Sequence, residues 1–242
     1  MKKHLFLCIF AFASISSFAQ GPGEKESAAS IHYRAYRSQA VEPTYHLAKI
    51  KAMIKKIKAD DEGTARMSER LYNTLSTRER FTYAMIHGED SSQNCDAMPP
   101  VMDSEKKIFG YIPDAFDESN YWSKRQQEFL HHNRAQVIQM LRDTLNATHR
   151  AGINLKWAVF ELNAKELFPD LAKVYRRDHK DHDILTVMML VMKEKNYKPF
   201  VASSIYKKMY GNPETSYREV MNATKAAEDE IMKYGLAFAA SK

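Results

Sequence analysis

Between Val174 and Met192 the chain reads VYRRDHKDHDILTVMMLVM, in which the polar run Asp178 to Asp183 is followed at once by an almost unbroken apolar one. Residues four apart on a helix are surface neighbours. The stretch holds two carboxylate-imidazole pairs at that spacing, Asp178 with His182 and His179 with Asp183. A carboxylate beside an imidazole raises its pKa and fixes its tautomer, which suits a general base or the support of a metal ligand. Asp178, His179 and His182 are therefore the candidate ligands for a divalent metal, the one cofactor the sequence suggests, with Glu166 the nearest further carboxylate.

Whether these groups act together depends on the element that carries them. A single helix from Leu171 to Met192 lines up Leu171, Val174, Tyr175, Asp178, His182, Leu185, Met189 and Met192 on one buried stripe. A helix broken inside DHKDHD instead leaves Asp181 or Asp183 to cap a new helix starting at Ile184, with the polar cluster at the surface. Both arrangements fit the pattern.

A second polar group lies in HGEDSSQNCD, where His87, Glu89, Asp90 and Cys95 follow a helix exit. Together with Gln126 and Asn133, which periodicity places on the buried face of the next helix, they form a candidate binding region. A Cys-His pair makes a nucleophile and base only in contact, which spacing does not establish. Glu128 and His131 have the Glu-x-x-His spacing of di-iron bundles, but the motif occurs once and points off the apolar stripe. Hydroxyl-nucleophile, phosphate-loop, His-Glu-x-x-His and paired Cys-x-x-Cys motifs are absent from the sequence. IHYRAYR interleaves aromatic and basic groups, which fits a helix turning Tyr33 and Tyr36 inward and Arg34 and Arg37 to water.

The elements that must position these residues read as helices. Ile50, Met53, Ile54 and Ile57 recur at helical spacing behind Pro43, with a basic outer face of Lys49, Lys51, Lys55, Lys56 and Lys58. Met67, Leu71 and Leu75 repeat every fourth residue, and STRE then offers a capping box of Ser76 and Glu79. A long helix is expected from Asn120 to Gly152, a central one within Asn154 to Pro169, and others beginning at Pro169, Pro199 and Pro213. The last should use Tyr217, Val220, Met221, Thr224, Ala227 and Ile231. KIFGYI is the lone strand candidate, and residues 88 to 119 form one long irregular segment. The expectation is an all-α, compact domain of about seven helices over residues 42–242, preceded by a mobile leader over 21–41.

MKKHLFLCIFAFASISSFAQ, residues 1–20, has the basic start, short apolar run and small-residue end of a cleavable signal peptide. Removing Lys2 and Lys3 takes the formal net charge from +6 to +4, a balance that does not call for nucleic acid. No later apolar stretch reaches transmembrane length, and Cys95 is left without a partner for an internal disulfide. These features point to a periplasmic or secreted helical protein with a non-catalytic binding or structural role and an envelope or extracellular partner. The alternative is a metal-dependent or acid-base enzyme of hydrolase type built on Asp178 and His182.

Overall fold

The computed structural model describes residues 25–59, 65–91, 100–116, 120–216 and 218–241. The first element of the described residues is a helix, inside the segment where a mobile leader is expected. Helix α1 (Ala28–Arg37) is capped by Ser27, whose hydroxyl accepts from the Ser30 amide, and it buries Ser30, Tyr33 and Arg37. It docks on a short 3-10 turn, Ser104–Lys106, through hydrogen bonds between Ser30 and Ser104, and the Ser30 hydroxyl donates to Glu105. Tyr33 turns inward as expected; Arg37, expected in water, is buried too.

Helices α2 (Leu47–Ile54), α3 (Glu69–Tyr72) and α4 (Thr77–Ile86) enclose a small apolar cluster of Ile50, Met67, Tyr72, Leu75 and Tyr83. Helix α2 starts after left-handed His46, so Pro43 lies outside it, and the periodic run from Met67 gives one helical turn with Leu71 exposed. The capping box at Ser76 and Glu79 is present. Lys49 donates to Glu79 at 2.6 Å, and this bond, with that from the Ser76 amide, holds the Glu79 carboxyl down to about 2.

Strands β1 (Asp90–Ser91), β2 (Lys107–Phe109) and β3 (Asn120–Tyr121) are minimal, β1 pairing antiparallel with β3. The expected long helix is divided into α5 (Lys124–His132) and α6 (Arg134–Thr148). Asn133 makes the break: its side-chain amide donates to the Phe129 carbonyl at 2.9 Å, competing with the helical ladder. Helix α7 (Ile153–Glu161) is central as its two-sided apolar pattern implies. Helix α8 (Phe168–Tyr175) has Pro169 in its first turn, and α10 (Lys198–Val201) has Pro199 there. Between them runs α9 (Asp183–Glu194), buried at nearly every position and packed against α7, α8, α10 and β2. Helix α11 (Ser204–Tyr210) follows, but Pro213 opens only a turn in which Asn212 accepts from the Glu214 amide.

The last helix is shorter than its periodicity suggests, because Val220–Asn222 form strand β4, paired antiparallel with β2 so that Ile108 faces Met221. Helix α12 (Lys225–Ala240) then begins behind a Thr224 cap and covers α8 and α9. The described residues thus hold twelve α-helices rather than about seven, because polar side chains interrupt stretches whose apolar period runs on.

One side chain ties the connector after α1 to this body. Asn154, buried at the start of α7, accepts from the Val41 amide at 3.0 Å and donates to the carbonyls of Val41 (2.7 Å) and Met85 (2.8 Å). Gly152 lets the chains approach, since a Cβ there would lie 2.4 Å from the Val41 nitrogen. Asn154→Leu removes three bonds and strands buried backbone groups, so urea unfolding is expected to show a loss of about 2–5 kcal/mol. A loss below about 1 kcal/mol would show that the connector is held otherwise.

Candidate functional site

The DHKDHD stretch is where one helix ends and the next begins. Helix α8 stops at Tyr175, His179 takes a left-handed backbone conformation with φ 54°, and α9 opens at Asp183. The stretch therefore turns two ways. Asp178 is exposed, its carboxylate accepting from the Lys180 amide at 3.1 Å, and exposed His179 donates through Nδ1 to Glu228 at 3.1 Å. Asp181, His182 and Asp183 are buried. Asp178 and His182 do not share a helix face, and Glu166 pairs with Arg134 at 2.6 Å instead of approaching them. Among the described residues no group of three or more His, Cys, Asp or Glu side chains is arranged to hold a metal ion.

The break is as one sequence reading has it, but neither Asp181 nor Asp183 caps α9, and only Asp178, His179 and Lys180 of the cluster stay at the surface. Asp183, in the first turn of α9, takes a two-pronged grip from Arg37 of α1, with Nε at 3.0 Å and Nη2 at 2.9 Å. Lys156 of α7 reaches Asp181 at 2.5 Å and lies 3.9 Å from Asp183. All four side chains are almost wholly out of water. Burial works against the Arg37 charge, yet Asp183 beside it carries the guanidinium above its ordinary range. Burial pushes the Asp181 carboxyl up, further than Lys156 pulls it down. The Arg37 guanidinium also stacks 3.5 Å above the Phe109 ring and donates to the Tyr111 carbonyl. His182 lies alongside, its Nδ1 2.9 Å from the Lys107 carbonyl and therefore carrying the proton; burial keeps its pKa low.

A second buried network centres on Glu89. Its carboxylate accepts from Tyr83 (2.7 Å), Ser123 (2.7 Å) and the Arg125 guanidinium. Burial opposes its charge, but these donors hold its pKa below the usual value, Arg125 foremost. Gln126 accepts from the amides of Glu89 and Ser123 and donates to the His87 carbonyl at 2.8 Å. His87 donates through Nε2 to the Ala65 carbonyl at 2.6 Å, and Asp90 pairs with Arg66. The structure thus gathers His87, Glu89, Asp90 and Gln126 of the candidate binding region, mostly facing inward. Asn133 stands apart at the α5–α6 break, and Cys95 lies outside the described residues.

Both networks back onto an open groove of about 1090 Å³. Arg34, Arg37 and Ser38 of the α1 end form one wall and Met85 to Gly88 another, and the segment from Tyr111 to Phe116 completes it. Arg34 is paired with Glu26 at 2.9 Å, and Glu42, also in the lining, with Lys51 at 2.6 Å. The groove is therefore balanced in charge and partly apolar. No described helix is long and apolar enough to cross a membrane. Comparison with protein-family models, curated proteins and solved structures finds no match.

Of Arg37, Lys156, Asp181 and Asp183, Lys156 has no place in the sequence reading, while Arg37 is expected in water and Asp181 or Asp183 as a helix cap rather than in a buried ion cluster. Lys156 left a signal: a lone cation in a helix apolar on two sides needs a buried anion.

Arg37→Met leaves Asp183 buried with only Lys156 near it, and should cost about 3–5 kcal/mol in urea unfolding. Arg37→Met with Asp183→Leu should recover most of that loss; a double variant as weak as the single one would mean that Arg37 acts through packing alone. His182 gives a pH dependence of known sign. Because burial lowers its folded pKa, its contribution is complete above the ordinary value of 6.5 and falls away as the pH drops below it. Urea midpoints should decline below pH 6.5 more steeply in wild type than in His182→Asn; parallel curves would remove His182 from the acid response.

Proposed function

We propose that the protein is exported through its cleavable N-terminal leader and acts in the periplasm or outside the cell as a non-catalytic binding protein of the envelope. The observation that supports this reading is the groove. It is an open, preformed concavity with Met85, Ile86, Pro113 and Phe116 among charged groups of both signs, of which Arg34, Arg37 and Glu42 are already paired within the protein. Such a surface suits an elongated ligand with alternating polar and apolar groups, such as a short peptide or a peptide-bearing wall fragment. The buried titratable groups behind it are locked by their partners, which rigidifies the walls and leaves them poorly placed to exchange protons with a ligand.

Two measurements test this. Fractionation with N-terminal sequencing of the mature chain should find it outside the cytoplasm and starting near Gln20 or Gly21. Thermal melting against short peptides and muropeptides should find ligands that stabilise wild type but not Ala40→Trp, a groove-filling change at an exposed position. An unprocessed cytoplasmic chain, or a ligand response that Ala40→Trp leaves untouched, overturns the reading.

A further inference from the structure

Helix α1 buries no aliphatic side chain. Its buried residues are Ser30, Tyr33 and Arg37, while Ala28, Ala29, Ile31 and Ala35 face water. Tyr33 lays its ring against the His182 imidazole, 5.7 Å between centroids, and against Tyr36 of its own helix. The other contacts that hold the helix involve polar groups. Ser30 accepts from the Ser104 amide at 3.0 Å and donates to Glu105 at 2.9 Å, and the Ser104 hydroxyl donates to the Ser30 carbonyl at 3.1 Å. Arg37 grips Asp183, stacks on Phe109 and donates to the Tyr111 carbonyl at 3.1 Å. Arg150 donates to the Tyr36 carbonyl at 3.1 Å and lies 4.5 Å above its ring.

The chain just beyond the helix is anchored separately. The Gln39 carbonyl accepts from the Ile153 amide at 3.1 Å, and Asn154 brackets Val41. Exposed Ser38 lies between this anchor and the helix. Moving α1 as a unit brings Arg37 and Asp183 into water together, and Asp183 keeps Lys156 at 3.9 Å, so no charge is left buried alone. That differs from truncating Arg37. A buried ion pair comes close to breaking even against its two hydrated halves. What then holds α1 down is a handful of hydrogen bonds and ring contacts, each worth no more than about tenfold in an equilibrium. Beneath it α7 and α9 pack on each other through apolar faces and need nothing from α1 to stay buried together.

We infer that α1 is a releasable strap, which swings about Ser38 between a docked state and one in which it stands free of an intact body. Release uncovers Phe109, His182 and Asp183 and removes the wall that Arg34, Arg37 and Ser38 give the groove. The swing stands on the contacts of α1 itself; its effect on ligand entry rests on the groove being the binding site.

Hydrogen exchange read by mass spectrometry on the purified protein without ligand tests the swing apart from any binding. A helix of ten residues does not persist alone, so release appears as exchange of its amides. In wild type residues 31–38 should exchange together, about a hundredfold or more faster than α7 and α9 but well below the free-chain rate. Ser30→Ala removes the bonds to Ser104 and Glu105 and should speed that segment about tenfold with α7 and α9 unchanged. A disulfide joining Ser30→Cys to Ser104→Cys, in a Cys95→Ser background, should slow it about tenfold or more until reductant is added. Exchange of α1 at the α9 rate or at the free-chain rate, a Ser30→Ala effect shared equally by α9, or a closed disulfide that leaves the rate unaltered would overturn the inference.

Discussion

The fold depends on two carboxylates that it buries. Asp181 and Asp183 enter the interior at the start of α9, the helix against which α7, α8, α10, α12 and β2 all pack. A buried charge without a partner is far costlier than any single apolar contact is favourable. Two distant cations therefore have to arrive, Lys156 from the central helix and Arg37 from the N-terminal one. Their arrival fixes the register of α7 against α9 and makes α1 part of the body. The bidentate geometry at Arg37 gives this contact a directionality that packing alone lacks.

The same economy of partners recurs around Glu89, where Tyr83, Ser123 and Arg125 converge on one carboxylate and Gln126 ties the His87 backbone to the start of α5. Two networks, one on each side, set the walls of the groove as rigid surfaces. A groove built this way keeps its shape without a ligand, so binding costs little ordering entropy.

Helical content, the capping box at Ser76, the central place of α7, and the proline starts of α8 and α10 were legible in the sequence because each has a local cause. The helix breaks were harder. At Asn133 and across DHKDHD the apolar period continues in phase while a polar side chain or a left-handed residue ends the helix, and periodicity does not register that. Strand β4 was hidden because its three residues gain their structure from pairing with β2, a partner more than a hundred positions away. At the sites, His87 and Glu89 stood out as polar residues crowded at a helix exit and Gln126 as a polar residue on an apolar stripe, each visible locally. The ion cluster was not, since nothing near Arg37 announces a carboxylate so remote in sequence, and DHKDHD gave no sign of which of its members would face inward.

That separation has a temporal meaning. Arg37 and Asp183 lie 146 residues apart, and synthesis delivers the N-terminal partner first. Helix α1 is complete long before the carboxylate it must meet exists, and the loop between them has to close against its entropy before the contact returns anything. Until then the nascent chain carries an unsatisfied basic helix and, later, a half-neutralised acidic core. The contact of α1 with the core is thus a late one, with α1 as its closing latch.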